Sequence, residues 1–183
     1  MSLVLHSAIS VGHVVAGGVA LGSGTCAVLR PKRTRGHRYS GGLYVASMLG
    51  VEWTAFHLYF LFGRFGIVHA GAVASGLALL VGLGAVVGRA FVPAWRQWHY
   101  LGMGISLLGV YAAFVVESTY HFFPAAYFWW STLGAASVVL LSGGLLLYRY
   151  FPRPPIAGPG QLAWFRQPAN SAASKQPHVL TRG

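Results

Sequence analysis

The chain alternates between five long apolar segments and short polar connections. The segments are Leu3–Leu29, Ser40–Phe62, Ile67–Phe91, Trp98–Tyr120 and Tyr127–Tyr150. A helix needs about 20 mainly apolar residues to cross a hydrocarbon layer about 30 Å thick, and each segment is long enough. Because the connections are short, consecutive helices should be antiparallel neighbours. The pattern therefore predicts an all-α integral membrane bundle of five transmembrane helices.

Composition supports this prediction. Of the 183 residues, 55% are hydrophobic and only 8% are charged, whereas about a quarter of the residues of a soluble domain are charged. The single cysteine, Cys26, permits no disulfide within the chain and no cysteine-based metal motif. We therefore expect Cys26 to act as a small apolar side chain.

The distribution of Lys and Arg predicts the orientation of the helices. The connection after the first segment carries Arg30, Lys32, Arg33, Arg35 and Arg38, and the connection after the third carries Arg89 and Arg96. The other side of the predicted bundle carries Arg64 alone. Cations are retained in the cytoplasm, so the N-terminus should lie outside and the C-terminus inside. The expected location is a bacterial inner membrane.

The net charge of +11 raises the question of a nucleic acid partner. The cations stand at the ends of apolar segments and form no basic stripe interleaved with aromatic residues. This placement favours contact with membrane lipids and gives no support to nucleic acid binding.

Residues 151–183 differ from the rest of the chain. They are basic and rich in Pro, Gly and Ser, with no hydrophobic period, a composition typical of segments without a packed core. The sequence thus predicts a transmembrane domain over residues 1–150 and a cytoplasmic tail over residues 151–183. The tail is a candidate attachment point for a larger membrane protein complex.

The first two segments and the connection between them resemble a family of small bacterial multi-pass membrane proteins of unknown function. The shared pattern is His-x3-Gly, a basic loop, and then His-Arg-x2-Gly-x2-Tyr-Val-x2-Met. It falls here on His13, Gly17, His37, Arg38, Gly41, Tyr44, Val45 and Met48. A later part of the pattern falls on His99, Met103, Tyr111, Phe114, Val115 and Val116. The resemblance implies a membrane helical fold and supplies no activity.

Small residues recur every four positions in two of the segments. One row is Gly12, Ala16, Ala20 and Gly24, and the other is Ala70, Ala74, Ala78 and Gly82. Rows of this kind let membrane helices approach closely, so we expect both rows to lie at helix contacts.

Histidines within the apolar segments are the main candidates for chemistry, because ionisable residues inside a membrane are costly and often functional. Two neutral imidazoles from facing helices can hold a haem b. The candidate ligands are His13, His37, His57, His99 and His121. The second and fourth helices offer His37 with His99 near one membrane face and His57 with His121 near the other. A pair of His13 and His57 is also compatible with the depths of these residues.

A metal site is an alternative use of the same side chains. His13, His57, Glu117 and His121 offer imidazole and carboxylate ligands that suit zinc, copper or iron. Proton transfer through Glu52 and Glu117 is a third hypothesis. The chain shows no matched repeat of the kind that transporters carry. A purely structural role, in which histidines anchor helix ends at the headgroups, is the simplest reading for any one of them.

No sequence motif supports an independent enzyme activity. The chain lacks a nucleophile elbow, a phosphate-binding loop and a dinucleotide fingerprint, so no catalytic residue is assigned. The sequence favours a small redox protein that binds haem b, like a cytochrome b. The alternative is a non-catalytic accessory subunit of a larger membrane complex, held by its packing faces and its tail.

Overall fold

The computed structural model describes residues 8–57, 66–119 and 122–152. These residues form five α-helices and no strand: α1 (Ala8–Leu29), α2 (Arg35–His57), α3 (Ile67–Val87), α4 (Trp95–Thr119) and α5 (Phe128–Arg149). A 3-10 turn, Ala125–Tyr127, precedes α5. The predicted all-α fold is confirmed. The predicted tail lies outside the described residues except for Phe151 and Pro152.

Four of the helices are long and apolar enough to cross a membrane. They are α1, α4, the His69–Val87 part of α3 and the Trp129–Arg149 part of α5. The chain is thus a membrane protein by the length and composition of its helices. The second helix, α2, is not among the four, because Glu52, His57 and several Ser, Gly and Thr residues dilute its apolar positions.

Helix α2 begins five residues before the predicted Ser40, because Thr34 caps it. The Thr34 hydroxyl oxygen accepts a hydrogen bond from the His37 amide at 3.2 Å, which satisfies one of the unpaired donors of the first turn. Helix α3 ends at Val87, before the predicted Phe91. The Gly88 carbonyl there accepts turn hydrogen bonds from the amides of Phe91 and Val92.

The helices pack as two hairpins and one added helix. Helix α1 packs on α2, and α3 packs on α4. Smaller contacts join α2 to α3 and α1 to α4, and these four helices together enclose a core. Helix α5 packs against α4, outside this four-helix bundle.

The core of the bundle is compact and consists of Ala20, Tyr44, Met48, Leu79 and Val110. Tyr44 reaches it by passing over Gly24 of α1, where an added Cβ would come within 2.9 Å of the Tyr44 ring. Residues from all four bundle helices therefore meet in one cluster, which fills the middle of the bundle.

The close contact between α3 and α4 depends on glycine residues, which have no side chain. A Cβ added to Gly102 would lie 2.6 Å from the carbonyl oxygen of Ala78 and from the Cα of Gly82. The predicted close approach is confirmed for Ala78 and Gly82, whereas Ala70 and Ala74 of the same row are exposed. In the α1 row Ala20 and Gly24 are buried, whereas a Cβ on Gly12 would meet nothing within 4 Å.

Buried positions recur in register between the two hairpins. The buried residues of α2, Ser40, Tyr44 and Met48, have buried counterparts 62 positions later in α4: Gly102, Ser106 and Val110. The same holds for α1 and α3 at a spacing of 55 positions. The buried residues Ser75, Leu79 and Gly82 of α3 correspond to Ala20, Gly24 and Ala27 of α1. The hairpins thus present equivalent faces to the core, although the residues at these positions differ.

Candidate functional site

His37 links the start of α2 to the end of α1. Its Nδ1 lies 2.9 Å from the carbonyl oxygen of Ala27, which is one of the last four carbonyls of α1 and has no partner within that helix. Lys32 donates to the same carbonyl at 3.1 Å and to that of Val28 at 3.0 Å. His37 and Lys32 together therefore cap the C-terminal end of α1.

His99 occupies the corresponding place in the second hairpin. Its Nδ1 lies 3.0 Å from the carbonyl oxygen of Gly82 in α3. His99 stands 62 positions after His37, the same spacing that relates the buried residues of α2 and α4. In each hairpin, a half-buried histidine near the start of the second helix thus contacts the first helix through Nδ1.

His13 and His57 lie at the opposite end of the α1–α2 hairpin. His13 Nδ1 is 2.7 Å from the Thr54 hydroxyl oxygen. His57 follows Thr54 by three residues, and its Nδ1 is 2.8 Å from the carbonyl oxygen of Trp53. Its exposed ring lies 4.6 Å from the Trp53 ring between centroids. The structure thus brings His13 and His57 to one end of the hairpin and His37 to the other.

The partners of these four histidines determine which ring nitrogen carries the proton. A backbone carbonyl only accepts, so Nδ1 of His37, His57 and His99 must donate. The Thr54 hydroxyl directs its own proton to the Gly50 carbonyl at 2.7 Å, so it accepts from His13 Nδ1. In the neutral form, each imidazole then keeps its lone pair on Nε2, the arrangement seen in metal-ligating histidines.

The proposed metal ligands are only partly described. His121 lies outside the described residues, and Glu117 is exposed near the end of α4. Within the described ranges, no group of three His, Cys, Asp or Glu side chains is close enough to hold a metal ion. The metal set of His13, His57, Glu117 and His121 stays a prediction.

Glu52 faces α3. Its carboxyl carbon would lie 3.4 Å from a Cβ added to Gly76, so the absence of a side chain at Gly76 accommodates the carboxyl group. His69 is buried in the first turn of α3 and accepts a hydrogen bond from the Gly66 amide at 3.3 Å. Glu52 thus lies beside α3, and His69 hydrogen-bonds to the residue that precedes this helix.

A hydroxyl cluster at the centre of the bundle was not expected from the sequence. The Tyr44 hydroxyl is 2.9 Å from the Ser106 hydroxyl, and the Ser75 hydroxyl donates to the Ser106 carbonyl at 3.1 Å. A second hydroxyl contact, 2.5 Å long, joins Thr25 of α1 to Tyr111 of α4. Such residues are common in membrane helices, and no local motif distinguishes those that meet across helices.

Comparison of the chain with protein-family models, with curated proteins and with solved structures gives no match. The resemblance to small bacterial membrane proteins therefore stays a prediction, and function has to be argued from the side chains themselves.

Proposed function

We propose that the protein is a redox protein of the bacterial inner membrane that holds a haem b between His37 and His99. The observation that carries this proposal is the equivalent placement of the two histidines. Each stands at the same position of its hairpin, and each donates Nδ1–H to a carbonyl of the preceding helix. Fixing Nδ1 in this way orients the ring and makes Nε2 a better ligand.

His37 and His99 could each hold a haem iron, because a neutral imidazole binds it through a single ring nitrogen. Both histidines stand seven residues before a member of the Tyr44–Ser106 hydrogen bond. Leu83 and Met103 pack against the core on the histidine side of that bond, so a haem held by His37 and His99 would lie beyond them, towards the connections that precede α2 and α4. When bound, the haem would supply a one-electron carrier, and the protein would supply ligands and an apolar boundary.

The proposal includes a five-span topology with the N-terminus outside. The 23 residues of α2 give a length of about 34 Å at 1.5 Å per residue, enough to cross the hydrocarbon layer. Helix α2 also packs along α1, which is itself long and apolar enough to span. The cations of the 30–38 connection favour the cytoplasmic side for that connection.

Visible spectra of the protein purified from haem-replete cells test the haem proposal. We expect a sharp α band after reduction with dithionite, and we expect its loss in His37→Asn and in His99→Asn. Asparagine can still donate an amide N–H to the same carbonyl, so helix packing should survive in these variants. A matched control is provided by His13→Asn and His57→Asn, which should keep the band because these residues lie at the other end of the hairpin.

Two results would overturn the assignment. Absence of the α band from the parent protein would show that it binds no haem. Survival of the band in His37→Asn and His99→Asn would show that these two histidines are not the ligands. Unfolding temperatures of the four variants, measured in detergent, separate loss of a ligand from loss of the fold.

The filled core favours a second candidate function, a non-catalytic subunit of a larger membrane complex. The middle of the bundle is filled by the side chains of Ala20, Tyr44, Met48, Leu79 and Val110. The subunit hypothesis expects a flat visible spectrum and loss of the partner when residues 151–183 are removed. The redox hypothesis expects the spectrum to survive that deletion.

A further inference from the structure

A groove of about 330 Å³ runs along the outer surface of the α1–α2 hairpin. Helix α1 contributes Val19, Gly22, Ser23 and Cys26 to its lining, and α2 contributes Tyr39, Ser40 and Leu43. Arg30, which directly follows α1, completes the lining. The volume lies at the lower end of the range of small-molecule pockets. The groove is mainly apolar along its length, with Arg30 and Tyr39 at the end near the connection between the helices.

Glycine at position 22 keeps this groove open. Gly22 is exposed, and an added Cβ would meet nothing within 4 Å. No packing contact within the described part of the bundle therefore requires a glycine here. A larger residue would project into the groove, whereas glycine leaves room for a flexible chain.

The charge at the end of the groove identifies the kind of ligand. The segment from Arg30 to Arg38 carries five cations, and the whole chain has only two acids, Glu52 and Glu117. Neither acid belongs to this segment, and Glu52 stands 13 residues beyond Tyr39 along α2, about 20 Å at the helical rise. The segment that carries Arg30 therefore contains no carboxylate that could pair with its cations.

We propose that the groove binds an anionic phospholipid, with an acyl chain along Gly22 and Leu43 and the phosphate at Arg30. An apolar slot that ends in a cation matches the two parts of such a lipid. The cationic connection adds attraction for an anionic headgroup. This site is independent of the proposed haem ligands, since neither His37 nor His99 lines the groove.

Native mass spectrometry of the detergent-purified full chain tests the site, with dioleoyl phosphatidylglycerol and dioleoyl phosphatidylcholine as probes. For the parent, we expect the first phosphatidylglycerol to bind more tightly than phosphatidylcholine. Arg30→Gln should weaken phosphatidylglycerol binding about five-fold, the loss expected for one cation near an anionic headgroup, and should leave phosphatidylcholine binding unchanged.

The apolar part of the site has its own variant. Gly22→Leu should weaken the binding of both lipids, because the new side chain occupies the groove. Gly18→Leu is the matched control, because Gly18 is also exposed and an added Cβ there would meet nothing within 4 Å. Gly18 does not line the groove, so lipid binding by this variant should equal that of the parent. Equal binding of both lipids to the parent, or parent-like binding by Gly22→Leu, would overturn the proposal.

Discussion

At the scale of single residues, the hydroxyl contact between Tyr44 and Ser106 joins α2 to α4 across the bundle. Both residues are buried, with 2% and 0% of their surfaces exposed. A buried hydroxyl that loses its partner retains its desolvation cost, so removing one group should affect the other. Hydrogen bonds between membrane helices contribute about 0.6 kcal/mol on average and at most about 1.7 kcal/mol.

A double-mutant cycle with Tyr44→Phe and Ser106→Ala measures this contact. We expect a coupling energy of about 1 kcal/mol in the free energy of unfolding in mixed micelles. The control pairs Tyr44→Phe with Ser47→Ala, because the Ser47 hydroxyl bonds only to the Leu43 carbonyl of its own helix among the described contacts. The control changes should be additive, and additivity in the Tyr44–Ser106 cycle would show that the hydroxyls are not coupled.

The sequence identifies some of the residues in these contacts but not their partners. The family-like pattern singles out Tyr44 and His37 but gives no partner for either, since Ser106 and Ala27 carry no distinguishing signal in the sequence. His37 was expected at the headgroups as an anchor or a ligand, and the structure adds a hydrogen bond to the end of α1. Side-chain partners depend on helix rotation and tilt, which apolar segments do not encode.

At the scale of helices, the crossing of α3 and α4 depends on Gly82 and Gly102. We expect Gly102→Ala to lower the free energy of unfolding by about 1–3 kcal/mol, because the new methyl group would press on backbone atoms of α3 that cannot rotate away. Gly144→Ala in α5 is the control, since a Cβ there meets nothing within 4 Å. Thermal unfolding in detergent compares the two, and equal midpoints would contradict the close crossing.

Helix positions were predictable because hydrophobic length is a local property of the chain. The start of α2 was not predictable, because Thr34 and the cations around it have the composition of a connection between helices. In the structure, Thr34 provides the cap that lets the helix begin at Arg35. The correspondence between the hairpins was also missed. Tyr44 matches Ser106 and Met48 matches Val110 by position, but each pair consists of different residue types, so comparison of the two sequences does not reveal the repeat.

At the scale of the whole molecule, the number of membrane crossings determines whether the two termini lie on the same side. Five spans put them on opposite sides, and four spans put them together. Helix α2 determines which count is correct, because it is long enough to cross but less apolar than the other four helices. Its antiparallel packing on α1 and the placement of cations favour five.

Two single-cysteine proteins decide between these topologies, both made in the Cys26→Ala background: Ser2→Cys and Ser171→Cys. On intact spheroplasts, a membrane-impermeant maleimide should label residue 2 and leave residue 171 unlabelled until the membrane is permeabilised. This result places the N-terminus outside and α2 across the membrane. Labelling of both residues from one side would mean an even number of spans, and it would also place His37 and His99 at different depths from those on which the haem proposal rests.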